Sequence, residues 1–394
     1  MADSADGLTA AFDFATAARI HFGVGRAGQL REIVGGLGRR ALVCTGSTPS
    51  RSADLLDGWT VPLTQFPCPS EPTVEQARQA TAAAREVGAD VVVAIGGGSV
   101  LDLGKATAML LANGGDPLDY LEVIGRGQPI ECPSVPFVAV PTTAGTGAEV
   151  TANAVLSSPE HGLKGSLRST LMIPRLAVVD PLLAVACTPA VTAASGLDAL
   201  TQCLEPLVSP RATPLTDSLA REGLRRAARG LRAAHADGSN ISARGDLALC
   251  ALCSGMALAN AKLGAVHGFA AVLGGAIAIP HGTACAALLV PVVTTTVQAL
   301  RSRAPDSPAL ARYEEAAALL TGRPDATVED GLDWMRETLR RLDMPSLGGF
   351  GIADADADAD ADEIVAQAAR ASSMQGHPIS LREEELHAIL RAAT

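Results

Sequence analysis

The chain has 394 residues, 48% hydrophobic and 19% charged, with 31 Lys and Arg against 42 Asp and Glu and a formal net charge of -11. That length exceeds what one hydrophobic core usually holds and predicts two domains, while the composition excludes a disordered chain. The acidic balance excludes a broad nucleic-acid or anionic-membrane surface, because such partners need clustered Lys and Arg to displace counterions.

The opening MADSADGLTAAFDFATAARI carries acids early and no basic segment followed by an apolar core. No secretory signal is expected, and the expected location is the cytoplasm. From about residue 19 to 180, short apolar runs alternate with helix-length amphipathic segments, the pattern of βαβ units around a parallel sheet. ALVCTG at 41–46 and DVVVAIGGG at 90–98 read as buried strands, followed by VPFVAVP at 135–141 and RLAVVDP at 175–181. Helices are predicted over 73–87 and 99–112. The stretch 151–170 has turn residues between β-prone flanks and reads as a hairpin or extended loop.

After Asp180 and Pro181 the sequence becomes Ala- and Leu-rich with helical spacing, and strand signals stop. The expected architecture is therefore an α/β, Rossmann-like dinucleotide-binding domain over 1–182 and an all-α domain over 183–394. Helix starts are predicted at Thr188-Pro189, Thr213-Pro214 and Ser380, where a capping side chain precedes Pro or acidic residues. The repeat ADADADADAD at 353–362 reads as an exposed acidic linker or helix start. Eight cysteines are scattered singly apart from Cys250 and Cys253, whose CxxC lies in an apolar helical pattern and predicts buried thiols rather than a zinc or redox site. The longest apolar stretch, 270–297, contains Gly274, Gly275, Pro280, His281 and Pro291, which predicts two buried helices with a break between them instead of a membrane span.

Three sets of residues carry chemistry. GGGSVLDLGK, Gly96 to Lys105, follows an apolar strand and opens a helix, so its backbone N–H groups and helix dipole suit a phosphate, although it is neither GxGxxG nor GxxxxGK[ST]. PTTAGTGAEVT, Pro141 to Thr151, also follows a strand, and the two loops together line one crevice for a dinucleotide, with Thr142, Thr143 and Thr146 as hydrogen-bonding groups. In the helical half, Asp198, His267 and His281 stand in apolar neighbourhoods, where such groups must be paired or bound to a metal. Gln202, one turn after Asp198, offers a carbonyl oxygen on the same face.

GGGSVLDLGK, PTTAGTGAEVT, LAVVDP, GLDAL and the PHG at 280–282, in this order and spacing, resemble the iron-containing (group III) alcohol dehydrogenases, which share the dehydroquinate synthase-like fold superfamily. The resemblance implies NAD or NADP in a cleft between the two domains and a divalent metal, Fe2+ or Zn2+, on the helical side. It places Gly46, Gly97, Gly98, Ser99, Asp102, Thr142, Thr143 and Thr146 at the nucleotide. Asp198, His267 and His281 fall at the metal, and Gln202 stands where the family's usual second ligand is a histidine. His267 and His281 thereby act in catalysis, and Lys164 falls among residues facing the cleft. The family's further histidine, one turn after the first ligand histidine, is Ala271 here. Because a Gln carbonyl is a harder, weaker donor than imidazole, the set leans from iron toward the Asp-His-His arrangement of zinc-dependent relatives. Where NAD-preferring members often carry Asp, this chain has Gly46 with Arg51 nearby, which predicts acceptance of NADP.

The implied activity is NAD(P)-dependent oxidation of a small alcohol or reduction of an aldehyde or ketone, with the metal polarising the substrate oxygen. Two alternatives are a metal-independent reductase similar to the maleylacetate reductases and a lyase similar to dehydroquinate synthase. Asp198 stands where the former typically have asparagine, and the phosphate-binding Lys, Arg and Asn cluster of the latter is not found beside the ligands. A homodimer is the expected assembly, as the commonest outcome for soluble enzymes.

Overall fold

The protein is described here from a computed structural model covering residues 11–277, 279–352 and 359–394. The strands are β1 (Ile20–Phe22), β2 (Ala41–Thr45), β3 (Leu63–Pro67), β4 (Val91–Gly96), β5 (Phe137–Pro141), β6 (Asn153–Ser158), β7 (Leu163–Arg168) and β8 (Leu176–Val179). Six of them form one parallel sheet in the order β1-β8-β5-β4-β2-β3, and β6 and β7 form a separate antiparallel hairpin over the predicted stretch. The helices of this half are α1 (Leu30–Gly35), α2 (Ala53–Leu56), α3 (Val74–Glu86), α4 (Gly98–Asn113) and α5 (Pro117–Tyr120).

β2, β4, β5 and β8 are buried along their whole length because helices cover both faces of the sheet. Alternate residues point to opposite cores: Leu42, Val92, Ala94 and Phe137 pack with α3 and α4, while Val43, Val91, Val93, Val138 and Val178 pack with Leu30, Val34 and Leu56. Each buried Val or Leu contributes about 1.5–3 kcal/mol of transfer free energy. The sequence pattern does not mark β1 or β3. β3 is an edge strand of only partly buried, mixed polarity that ends in Pro67, and β1 is a three-residue edge strand.

Among the described residues, everything after β8 is helical. The helices are α6 (Pro189–Val208), α7 (Pro214–Ala236), α8 (Ile241–Ala261), α9 (Ala265–Ala276), α10 (His281–Arg303), α11 (Pro308–Thr321), α12 (Val328–Arg341), α13 (Ala359–Arg370) and α14 (Glu383–Ala393). Thr188 and Thr213 cap α6 and α7 as expected, accepting hydrogen bonds from the N–H of Val191 and Thr216. The last start is shifted: α14 begins at Glu383 rather than beside Ser380, because the Arg382 N–H is taken by the Glu385 carboxylate. Of the acidic repeat, 353–358 lie outside the described residues and α13 starts at Ala359.

The apolar stretch 270–297 falls into α9 and α10, with the break where it was expected. By length and composition alone, α8 and α10 are long and apolar enough to cross a membrane, but two thirds of each apolar window is buried inside the protein. The sheet meets the helices where Val150, Ala177 and Val179 pack on Ala248 and Leu252 of α8. Cys203, Cys250 and Cys253 are buried free thiols, so the CxxC is core material.

Candidate active site at the junction of sheet and helices

The chain adds β3 on one side of β2 and then crosses back to place β4 on the other, so the direction of winding reverses between β2 and β4. In open α/β sheets a ligand crevice forms beyond the strand ends at such a reversal. Gly46 follows β2 there, and Gly97 and Gly98 follow β4, with Gly97 as the N-cap of α4 and no side chain capping the first N–H groups. Thr142 follows β5 and donates its N–H to the Gly96 carbonyl at 2.9 Å.

The two glycine loops are in direct contact. A Cβ at Gly98 would lie 2.7 Å from Thr146 Oγ1, so only glycine allows this approach. Thr45 Oγ1, at the end of β2, is buried without a hydrogen-bond partner. An uncapped helix start, a glycine cradle and an orphaned hydroxyl fit a bound dinucleotide phosphate or ribose.

Asp102 is held differently: Oδ2 accepts the Val155 N–H at 3.1 Å, and Oδ1 faces Lys105 Nζ at 3.7 Å. Lys105 is fully buried and donates to Thr151 Oγ1 and the Asn153 carbonyl, tying α4 to the hairpin. Glu149 lies in the same buried region, and burial pushes its carboxyl up to about 7.

The helical half supplies the second centre. Asp198 lies in the middle of α6, His267 in the first turn of α9 and His281 at the first position of α10. The start of α10 lies against α6 because Gly282 lacks a side chain; a Cβ there would clash with the Ala194 carbonyl oxygen. His267 Nε2 is 3.2 Å and His281 Nε2 3.7 Å from Asp198 Oδ1. Asp198, His267, His281 and Cys285 each present a ligand atom, and these atoms all lie within 4.8 Å of one another. The chemistry and spacing of these donors fit a divalent cation.

A second ring of contacts orients them. Glu205 Oε2 takes the His267 Nδ1 proton at 2.7 Å, and Oε1 accepts the Val266 N–H at 2.8 Å, which leaves Nε2 of His267 to face the cluster. His377 accepts the Ala265 N–H behind Glu205, and burial lowers its pKa to about 4, so it stays neutral. Burial alone would push Asp198 up, but hydrogen bonding to His267 and the charge of both imidazoles hold it below the usual carboxyl range. Burial likewise opposes ionisation of Cys285, yet His281 and His267 hold it below an ordinary thiol, whereas burial raises Cys68 to about 11 and Cys253 to about 12.

The sequence-predicted residues thus gather in two places. Gly46, Gly97, Gly98, Ser99, Thr142, Thr143 and Thr146 belong to the loops at the winding reversal, and Asp198, His267 and His281 come together on three helices. Gln202 lies beside Asp198, but its Oε1 accepts from Ser254 Oγ at 3.1 Å. The Ser254 hydroxyl also lies 2.8 Å from the Ala251 carbonyl oxygen, so its single proton is shared between the two acceptors. Lys164 is not brought to the cluster; on β7 it pairs with Glu71 at 2.6 Å and sits beside Gly274 of α9.

Sequence reasoning missed Cys285 and Glu205. Their signal was helical spacing: Cys285 is four residues after His281, and Glu205 seven after Asp198.

The two centres share a wall. Gly145 of the second loop packs against Ser195, one turn before Asp198, and Ser254 Oγ lies 3.5 Å from the Gly145 carbonyl as well as 3.1 Å from Gln202.

The family described as iron-containing alcohol dehydrogenase matches residues 17–181, and the family described as Fe-containing alcohol dehydrogenase, C-terminal, matches 192–394. Long-chain-alcohol dehydrogenase 1 of Geobacillus thermodenitrificans is 33% identical over 389 residues, covering 95% of this chain and 94% of that protein. 1,3-Propanediol dehydrogenase of Klebsiella pneumoniae is 42% identical over 212 residues, 54% of each chain. Among solved structures, a 1,3-propanediol oxidoreductase superposes with a TM-score of 0.88 at 30% identity, covering 98% of this chain and 100% of the other. Sulfoacetaldehyde reductase from Bifidobacterium kashiwanohense in complex with NAD+ superposes with a TM-score of 0.85 at 26% identity, covering 98% and 99%. The chain belongs to the iron-containing alcohol dehydrogenase family and is an oxidoreductase acting on CH–OH groups.

Proposed function

We propose that this member of the iron-containing alcohol dehydrogenase family interconverts a small alcohol and its aldehyde or ketone, with NAD(H) or NADP(H) in the crevice and Fe2+ or Zn2+ on Asp198, His267 and His281. The contact of Gly145 with Ser195, one turn from Asp198, supports it most directly, because it sets the nucleotide loops against the helix that carries the ligands. When bound, the metal supplies Lewis-acid polarisation of the substrate oxygen and the nicotinamide exchanges the hydride, so no protein nucleophile is required.

The residues of this chain divide the remaining work. Gly97, Gly98 and Ser99 present the backbone of the α4 N-terminus, and Thr142, Thr143 and Thr146 add hydroxyls across the crevice. Asp102, already engaged by Val155 and Lys105, braces the first loop from beneath. Glu205 fixes the ring of His267. The His281 side chain is 38% exposed while those of Asp198 and His267 are nearly closed off, so substrate arrives from the His281 side. With Ala271 in place of the family's further histidine, the alcohol proton leaves through water or the nicotinamide ribose.

Gly46 puts no carboxylate near a ribose 2'-phosphate. Arg51, five residues on and exposed, supplies a cation that supports acceptance of NADP. Lys164, paired with Glu71 and set beside Gly274 of α9, keeps its place among the cleft-facing residues in this reading. The relatives act, by name, on long-chain alcohols, 1,3-propanediol and sulfoacetaldehyde, and the substrate here falls in the broad class of alcohols and aldehydes. A cytoplasmic homodimer remains the proposed setting.

The test is metal analysis of the purified protein combined with NADPH and NADH oxidation on a panel of aldehydes and ketones, before and after chelation. About one metal per chain and chelator-sensitive turnover are expected, with NADPH accepted. Undiminished turnover by metal-free protein would reassign it to a metal-independent reductase. Turnover of a substrate without net change in nicotinamide absorbance would point to a lyase.

A further inference from the structure

Position 202 carries an amide where the resembled family carries an imidazole, and the structure shows where a replacement donor comes from. The Gln202 carbonyl oxygen faces the Ser254 hydroxyl at 3.1 Å, it is a weaker donor than imidazole, and the carboxamide nitrogen has no lone pair free for a metal. On the other side of the cluster, Cys285 Sγ lies 3.8 Å from His267 Nε2 and 3.7 Å from His281 Nε2.

A tetrahedron with bonds of about 2.05 Å to nitrogen or oxygen and about 2.3 Å to sulfur has N–O edges of about 3.3 Å and S–N edges of about 3.6 Å. The observed edges are 3.2 and 3.7 Å from Asp198 to the two histidines, and 3.8 and 3.7 Å from Cys285 to the same two nitrogens. The other two edges are no longer than 4.8 Å, so side-chain adjustments of about 1 Å would bring all four atoms to bonding distance of one centre. Two of the four ligands, His281 and Cys285, are successive-turn neighbours on α10, so a single rigid helix fixes their spacing.

We propose that Cys285, as its thiolate, is the fourth protein ligand of this site, replacing from α10 the imidazole absent at position 202 on α6, with the substrate oxygen entering as a fifth ligand from the exposed His281 side. An Asp-His-His-Cys set containing sulfur selects zinc, or cobalt(II) as its probe, over iron(II), because soft thiolate donors and tetrahedral geometry favour zinc. On binding, the thiol proton is released to solvent and the S–metal bond forms, with no change of oxidation state. This assignment rests on the metal-dependent function proposed above.

The test loads metal-free full-length protein with Co2+ and records its near-ultraviolet absorption, with Cys285→Ser as the variant and Cys253→Ser as a buried-thiol control. Wild type and Cys253→Ser are expected to show a thiolate-to-cobalt charge-transfer band at one cobalt per chain. Cys285→Ser is expected to lose the band and to bind zinc at least tenfold more weakly, whereas Cys285→Ser combined with Gln202→His regains affinity and prefers iron(II). Cobalt bound by the wild type without a thiolate band overturns the Cys285 assignment and leaves the metal site of Asp198, His267 and His281 standing. If neither wild type nor Gln202→His binds any metal, both the assignment and the metal-dependent function fall. The wild-type spectrum decides these cases even where Cys285→Ser fails to fold.

Discussion

The proposed nucleotide crevice and the candidate metal cluster are built on opposite plans. The crevice is made of backbone: glycines at 97 and 98, an uncapped helix start and a second loop pressed against the first, all following directly from their strands. The cluster is made of side chains from three helices, with Asp198 and His281 separated by 83 positions in sequence. A backbone site tolerates changes of side chain but not an added Cβ. A side-chain site loses its function with one donor, yet a neighbouring helix is able to supply a new one.

The largest effect should come from the cluster. Asp198→Ala is expected to lower turnover about 1000-fold, equivalent to about 4 kcal/mol in the barrier, while NADPH binding measured by fluorescence stays unchanged. Loss of both together would show that the two centres are not separable. Glu205→Gln keeps the shape but removes the charge that holds His267, so metal affinity or kcat should drop by about 10–100-fold, read by competition with a chromogenic chelator.

Gly98→Ala is the matching change in the crevice. Its Cβ would press on Thr146, and the KM for NADPH should rise about tenfold, worth about 1.4 kcal/mol, with metal content unaltered. A metal loss on that substitution would break the division between backbone and side-chain sites.

The smallest effect concerns Glu149, buried near the end of the second loop. Burial raises its carboxyl from an ordinary 4.5 to about 7, so the folded state favours the neutral acid. Its contribution to stability is complete below the unfolded value and is lost as pH rises through about 7. Glu149→Gln removes that dependence, and the melting temperature of the variant relative to the wild type should rise by about 2–4 °C between pH 5 and 8. A difference that is flat with pH would mean that Lys105 keeps Glu149 ionised throughout.

The sequence is most legible where physics is local. Strand, glycine and helix succeed one another within ten residues at 91–100, so the first loop is visible without any tertiary information, and the buried strands of a parallel sheet announce themselves as unbroken apolar runs. β1 and β3 escaped because short edge strands lack that apolar signature. Asp198, His267 and His281 were visible because a ligand-type group in an apolar helix is costly to leave unpartnered. Glu205 and Cys285 were not, since a glutamate near a helix end and a cysteine in an apolar run have ordinary explanations until their neighbours are known.

By itself the sequence determined a parallel α/β half followed by helices, two glycine loops after adjacent strands and three ligand-type residues, because each depends on periodicity or on the cost of a buried polar group. Only the tertiary structure decided that the Gln202 oxygen faces Ser254, that Glu205 orients His267 and that Cys285 lies beside both histidines. Those outcomes depend on how α6, α9 and α10 cross, and distances between helices are set by packing rather than by the spacing of residues along the chain.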